Sequence, residues 1–585
     1  MNRIVIVLAL LFAAAAPFLF ASQPYYSGLL AYAAILAIFG LSINLTVGYL
    51  GLISFGHAAF FGLGAYFAGL MIIKLGVNYW LMLALAPIPA AALGALIGFA
   101  SVRLGGAYFA IATLTTAEIL RLIASNWIDM TRGPLGLIVK RPRIPMLEQL
   151  GLNFHQYYLL IALLALALTL FIIHRLLESP FGRSLKVIRE SNDLAESIGI
   201  RTVRQRVIAI AISGGLAGFA GVLFIPRTLV LTPDLFNPML SSTGLLIAIL
   251  GGKGTLIGPV LGGAIFATLP ETLRFVDEYR IAIFAVILLL VIRIQPGGLA
   301  ALLPFGQRTM RSPEKVEPEE LHFEPAPSLR VEGLSKRFGG LSAVDDVTID
   351  VRPGELLGII GPNGAGKTTC MSLMSGFVQP SAGVIRYGDS VVSDRVPSVS
   401  VEDGLTRTFQ QTALCGTQTV FENVLAATSV RRPESVLSSV LQLQSYRERE
   451  RARQNLAMAC LDLVGLTERA NHNAGSLPYG EQKMLSIAVA LATQPKLLML
   501  DEPAAGLNHT EANRLADLLR TLREKGLTVV VVDHNLRMMM SLCDRIVVLD
   551  RGKRIAQGTP AEIQQDQSVI DAYLGAKRKQ EEQHA

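Results

Sequence analysis

The chain has 585 residues, too many for one domain. Only 17% of them are charged, against roughly 25% in soluble domains, which excludes an ordinary soluble protein throughout. The net charge of +7 admits a nucleic-acid binder, but Lys and Arg flanking membrane spans give the same excess, and no nucleic acid is expected as a partner.

The composition changes near Leu303. Before it lie long apolar stretches; from Arg308 the chain reads as a soluble α/β protein. A span needs about 20 apolar residues. The predicted spans are Ile4–Ala21, Leu29–Leu50, Phe55–Leu75, Trp80–Ser101, Tyr108–Asn126, Tyr157–Leu177, Val207–Leu231 and Ile281–Leu303. Arg3 and a short apolar core give the first a signal-peptide look, but further spans follow at once and no A-x-A site closes it. It is read as retained, surrounded like the others by membrane lipid.

The stretch Glu178–Arg206 carries Arg183, Lys186, Arg189, Arg201, Arg204 and Arg206, so it is expected on the cytoplasmic side. Counting crossings from there puts the N-terminus inside. It also requires Thr243–Leu269 to be a re-entrant hairpin or two short spans, broken at Gly251-Gly252-Lys253-Gly254. The spacings Gly94/Gly98, Gly214/Gly218 and Gly258/Gly262 allow close helix approach. Asn44, His57, Glu118 and Arg121 fall in apolar surroundings and need internal partners. Glu118 and Arg121, three apart, share a helix face and are expected to pair.

Several motifs occur in order here: Asn44 to Gly51, Ser54 to Gly62, Tyr108 to Leu114, Arg132 to Gly136 and Ser179 to Glu190. Over residues 25–300 the chain resembles the M-type permease of branched-chain amino-acid ABC importers. The resemblance implies a short cytoplasmic helix that docks on an ATPase. Its best match is Ile188–Gly199, with Glu190, Asp193 and Glu196 three apart.

Residues 308–328 carry Pro313, Pro318, Pro325 and Pro327 among Glu314, Glu317, Glu319, Glu320 and Glu324. Such a run reads as an extended tether.

In the C-terminal half the apolar run Leu356 to Ile360 feeds Gly361, Pro362, Asn363, Gly364, Ala365, Gly366, Lys367, Thr368 and Thr369. This is the G-x-x-x-x-G-K-[ST] spacing of a P-loop. Lys367 is placed for β/γ-phosphates and Thr368 for Mg²⁺. Leu497 to Asp501 and Glu502 form an apolar strand ending in two carboxylates, a Walker B arrangement. Asp501 would hold Mg²⁺ through water, and Glu502 would orient or deprotonate the attacking water. A third apolar strand, Thr528 to Asp533, delivers His534 toward the γ-phosphate. The four cysteines, Cys370, Cys415, Cys460 and Cys543, lie in this half with no metal spacing, which suits a reduced compartment.

With Phe338, Gln410 and Leu477 to Gln482 these motifs stand in the order of an ABC ATPase. Residues 329–575 resemble the G-type ATPase of the same importer family. The resemblance implies that Phe338 stacks on adenine. It implies that Gln410, rather than adjacent Gln411, senses Mg²⁺ and water. It makes Tyr479 and Gly480 part of a signature that meets the nucleotide of a second ATPase. Pro478 replaces the usual signature Ser, Val489 stands where an Arg is common, and Asn508 replaces the usual D-loop Asp.

The expected fold is an N-terminal polytopic α-helical membrane domain (1–307), a tether (308–328) and a C-terminal α/β P-loop NTPase of the ABC type (329–585). The expected function is ATP-driven import of branched-chain amino acids or related small amides and acids, using ATP and Mg²⁺. The implied partners are a second permease, a second ATPase and a periplasmic substrate-binding protein at a bacterial inner membrane. The competing readings are an exporter half-transporter and a nucleotide-binding subunit with weak hydrolysis. The solute itself is not legible.

Overall fold

The computed structural model describes residues 15–20, 23–100, 106–143, 148, 153–272, 279–302, 321–324, 326–429 and 435–573. Most of the expected Ile4–Ala21 span and most of the tether lie outside the described residues. The rest divides into two compact units. One runs to Arg189 and resumes at Val203; the other takes Glu190–Thr202 together with the C-terminal half.

Six helices of the first unit are long and apolar enough to cross a membrane: Pro24–Tyr49, His57–Leu75, Tyr79–Ala100, Gly106–Asn126, Phe154–Glu178 and Thr202–Thr228. Their bounds follow local chemistry. Proline opens the Pro24–Asn44 helix, where a missing N–H costs nothing. Asn153 and Gln156 form a capping box at the start of Phe154–Glu178. Gly76, left-handed at φ 65°, closes His57–Leu75. The expected Ile281–Leu303 span is shorter, a helix Arg280–Ile294, because Gln295-Pro296-Gly297-Gly298 turns the chain before a short 3-10 turn at Leu299–Leu302.

The glycine spacings serve packing. A Cβ on Gly94 would lie 2.6 Å from the Ile210 carbonyl, and one on Gly218 would lie 2.5 Å from Ala90 Cβ. The 243–269 stretch is two short helices, Pro238–Gly252 and Gly258–Thr272, broken at the expected glycines. Asn44 holds the break in place. Its Nδ2 donates to the Thr255 carbonyl at 2.7 Å, and its Oδ1 accepts from Gly254 N at 2.8 Å. β1 (Leu137–Ile138) and β2 (Val230–Leu231) form a small antiparallel ladder.

The other intramembrane polar groups are paired as their surroundings demand. Arg121 grips Glu118 with two bonds, 2.9 and 2.6 Å. Fully buried His57 lies in a hydroxyl chain. The Ser213 hydroxyl donates to the Ser42 carbonyl (2.6 Å), so its oxygen accepts from His57 Nε2 (2.7 Å). His57 Nδ1 lies 3.0 Å from the Ser54 hydroxyl, which can donate to it. This is an interior hydrogen-bonded histidine.

The second unit has two sheets. One is antiparallel, in the order β4 (Leu341–Val351), β3 (Leu329–Phe338), β6 (Ala382–Tyr387), β7 (Ser390–Val391). The other runs β12 (Lys553–Gly558), β11 (Arg545–Asp550), β5 (Leu356–Ile360), β10 (Thr528–Val532), β9 (Leu497–Asp501), β8 (Leu405–Arg407). All its pairings are parallel except β11–β12. β5, β9 and β10 are buried along their whole length, which explains their unbroken apolar sequences. The carboxyl ends of such adjacent parallel strands open on one crevice, where ligands of open α/β sheets bind.

The segment expected as a docking helix, Ile188–Gly199, is not one helix. The Pro180–Glu190 helix ends first, and Ser191 caps a new helix Asn192–Ser197 by accepting from Leu194 N at 3.2 Å. Within the second unit, Arg201 holds Glu402 through Nε at 2.7 Å.

Candidate nucleotide site

β5 ends in the loop Gly361 to Gly366, which opens the Lys367–Met374 helix. Gly366 sits at φ 94°, and a Cβ there would lie 2.4 Å from the Ala343 carbonyl, so the turn requires glycine. Lys367 is buried, and its Nζ donates to the carbonyls of Gly361 (2.8 Å) and Pro362 (3.0 Å). Burial pushes its ammonium below the ordinary lysine value, against the opposing pull of Glu502, Asp501 and Asp533. Asn363, Gly364 and Thr368 are exposed, whereas Ala365 is buried beneath the loop. Pro362 and Thr369 are half-buried.

The register carries the Walker B pair to the same strand ends. Val532 of β10 lies opposite Ile359 of β5 on one side and Asp501 of β9 on the other. Asp501 is 1% exposed. Its Oδ2 accepts from Arg407 Nη2 at 2.8 Å, while its Oδ1 is buried without a hydrogen-bond partner. Burial pushes its carboxyl up, and Arg407 opposes this. Among the described residues no group of three or more His, Cys, Asp or Glu is arranged to hold a metal. Mg²⁺ takes one or two carboxylates plus phosphate oxygens rather than a protein cage. An orphaned carboxylate oxygen beside a P-loop fits such an ion.

Glu502 has a left-handed backbone, φ 46°, although it is not glycine. Its N–H donates to the Val532 carbonyl at 2.7 Å, which holds it there. Its Oε2 accepts from Gln410 Nε2 at 2.8 Å and lies 3.9 Å from His534 Nδ1. Gln410 faces the carboxylate. Sites of function often store such strain. Glu502→Gly is expected to be more stable than Glu502→Gln by roughly 0.5–1 kcal/mol, the left-handed penalty less the entropy of glycine, while both lose hydrolysis. Thermal unfolding of the two variants checks this.

The expected residues Gln410, Glu502 and His534 are thus brought together. Phe338 ends β3 half-exposed, with Lys336 Nζ 5.2 Å from its ring centre, so it is not a core residue. The signature residues do not join this cluster. Tyr479, 46% exposed, lies so close to Gly506 that a Cβ there would meet its ring at 2.9 Å. Gly480 faces the Glu511 carboxylate, which a Cβ there would meet at 2.3 Å. Pro478 is the N-cap of Tyr479–Leu491, a position that does not need its missing N–H. Asn508 caps His509–Glu524 in a capping box with Glu511, a role Asp would also fill.

Two residues carry weight that the motifs did not signal. Arg407 joins β8 to Asp501. Buried Lys483, from the signature helix, donates to the Gln410 carbonyl at 2.6 Å and the Glu502 carbonyl at 3.4 Å. Arg407 stands between Thr406 and Thr408 and Lys483 follows Glu481 and Gln482, so no local pattern marks either.

Comparison with known proteins bears on both units. Residues 25–292 match the family model for the permease component of the branched-chain amino acid transport system. Residues 344–505 match the ABC transporter model, and 553–578 the branched-chain amino acid ATP-binding cassette transporter model. The high-affinity branched-chain amino acid transport ATP-binding protein BraF of Pseudomonas aeruginosa is 41% identical over 250 residues, covering 43% of this chain and 98% of that protein. The permease protein LivM of Salmonella typhimurium, from a high-affinity branched-chain amino acid transport system, is 33% identical over 287 residues, covering 45% and 67%. A solved nucleotide-free ATP-binding cassette from an ABC transporter is 30% identical, with a TM-score of 0.37, and spans 43% of this chain and 99% of its own. The chain belongs to the branched-chain amino-acid ABC transporter family and carries that family's permease and ATP-binding parts in one polypeptide.

Proposed function

We propose that this chain is the fused permease and ATPase subunit of an importer that uses ATP hydrolysis to move branched-chain amino acids across a bacterial inner membrane. The observation that carries this reading is the meeting of Lys367, Asp501, Glu502, Gln410 and His534 at adjacent strand ends, in a chain that also holds six long apolar helices. The proposed organisation is a membrane domain over 1–307, a tether over 308–328 and an ATPase over 329–585 on the cytoplasmic side.

In this mechanism the P-loop amides of Gly361 to Thr369 cradle the phosphates, and Lys367 neutralises the β/γ oxygens. Phe338 stacks on adenine. Thr368, Asp501 and Gln410 would hold Mg²⁺, which when bound neutralises charge on the transferred phosphoryl group. Glu502 orients and deprotonates the attacking water, and His534 contacts the γ-phosphate. Tyr479 and Gly480 serve the nucleotide of a second ATPase in a head-to-tail pair. A second permease and a periplasmic binding protein complete the machine.

The docking segment Glu190–Thr202 relays ATPase movement. Its pair Arg201–Glu402 is half-exposed, and such pairs contribute little. Glu402→Gln is therefore expected to change uptake by less than about threefold. Apolar Leu194 and Ile198 carry the docking, and Leu194→Asp is expected to lower uptake far more. Uptake of labelled leucine by cells with each variant checks this.

The test of the whole reading is transport in proteoliposomes holding this chain, its partner subunits and the binding protein. Leucine accumulation in the lumen should need ATP inside, on the ATPase side, and binding protein outside, at the external face of the permease. Accumulation indifferent to nucleotide would overturn it.

A further inference from the structure

Arg407 is a buried cation of the ATPase half whose two terminal nitrogens are both engaged, while its Nε has no partner. Its side chain is 4% exposed and its guanidinium is shared among three elements. Nη2 donates to Asp501 Oδ2 at 2.8 Å. Nη1 donates to Ser372 Oγ at 2.9 Å and Ser375 Oγ at 3.3 Å. Ser375 lies one residue past the P-loop helix that carries Ser372. Both hydroxyls spend their own protons on the backbone, Ser372 on the Thr368 carbonyl and Ser375 on the Met371 carbonyl, each at 2.7 Å. Only their lone pairs face Arg407. The rings of Phe377 and Phe409, edge to face at 5.2 Å, lie 5.8 and 5.6 Å from the guanidinium carbon. The fork therefore has one orientation.

That orientation decides what Asp501 offers. A carboxylate has two oxygens, and rotation about its last bond exchanges them. With Oδ2 tied to a fixed donor, Oδ1 is the oxygen without a partner. A salt bridge this deep is weak evidence for stability, since two apolar residues of the same volume would pack as well. A role in orienting the carboxylate gives the pair a function other than stability.

We propose that Arg407 is a positioning residue that locks Asp501 to the P-loop helix through Ser372 and Ser375 and so presents a single carboxylate oxygen to the Mg²⁺ of the bound nucleotide. This rests on the reading of the site as a Mg²⁺–ATP site. It separates Arg407 from residues that touch nucleotide: its loss should act on the metal-dependent part of binding alone.

The experiment uses the full chain in its assembled complex in detergent. Fluorescent methylanthraniloyl-ATP is titrated with Mg²⁺ and again with EDTA, and the ratio of the two dissociation constants is read. Arg407→Met is expected to lower that ratio by roughly 10-fold or more, the weight of a hydrogen bond to a charged group, while the EDTA affinity stays near wild type. Ser372→Ala with Ser375→Ala keeps the charge and frees the fork; it should lower the ratio by a smaller factor, and it serves if Arg407→Met does not fold. Arg407→Lys, which cannot fork, should not rescue fully. An unchanged ratio in folded Arg407→Met, or in the double serine variant should Arg407→Met fail to fold, overturns the proposal alone. A wild-type ratio near one overturns both the proposal and the Mg²⁺–ATP reading beneath it.

Discussion

Glu502→Gln is expected to leave ATP bound and to slow its hydrolysis by about 10²–10⁴-fold, the usual weight of a general base. The substitution is nearly isosteric. The Gln410 amide that now reaches Glu502 Oε2 at 2.8 Å can still donate to the new side chain's carbonyl oxygen. The left-handed backbone and the bond from Glu502 N to Val532 persist, so the loop keeps its path. What disappears is the group that accepts a proton from water. Uptake should fall with turnover, and ATP should accumulate on the complex. Phosphate release by the purified assembly measures the first, and retained labelled ATP the second. Undiminished turnover would mean that hydrolysis belongs to another subunit and that this chain only binds.

Lys367→Met is expected to weaken ATP by roughly 10–100-fold, the weight of one charge-assisted contact to phosphate. The buried ammonium now donates to the Gly361 and Pro362 carbonyls and sits among Glu502, Asp501 and Asp533. With Arg407 and Lys483 it offsets the carboxylates gathered here, and phosphates would meet a more negative field without it. Equilibrium titration with the fluorescent nucleotide reads the loss. Wild-type affinity would remove Lys367 from the site and with it the P-loop reading.

The legible part of this molecule was the part with a spacing. P-loop, carboxylate pair and histidine each follow a short apolar strand, and such strands form parallel sheets with their carboxyl ends together. The order of β5, β10 and β9, with β10 in the middle, came from the structure. Arg407 stands three residues before Gln410, and nothing in that spacing gives it a role. Its value depends on β8 pairing with β9 across ninety-odd residues of chain, so that Arg407 lies opposite Met499, two before Asp501. No local pattern encodes that register. The same holds in the membrane half. The break at Gly251 to Gly254 is visible as a glycine run, but Asn44 discloses only that it must have a partner. The partner, backbone at Gly254 and Thr255, is more than two hundred residues away. Pro478 shows the opposite case, a local departure that looked damaging. As the residue before the first helical turn it leaves the Tyr479–Leu491 helix intact.

Residues 190–202 stand in the middle of the apolar half of the sequence, yet they cluster with the ATPase. Leu194 and Ile198 line a small cleft with Phe409 and Val489. The apolar Val489 suits that company. A fragment excised at the acidic tether would therefore not be the whole ATPase body. It would begin life with an open greasy notch beside the glutamine loop, inviting a neighbouring molecule to fill it. Anyone wishing to study hydrolysis apart from the bilayer should graft the missing piece back, as a short peptide extension ahead of β3, before trusting the fragment's behaviour.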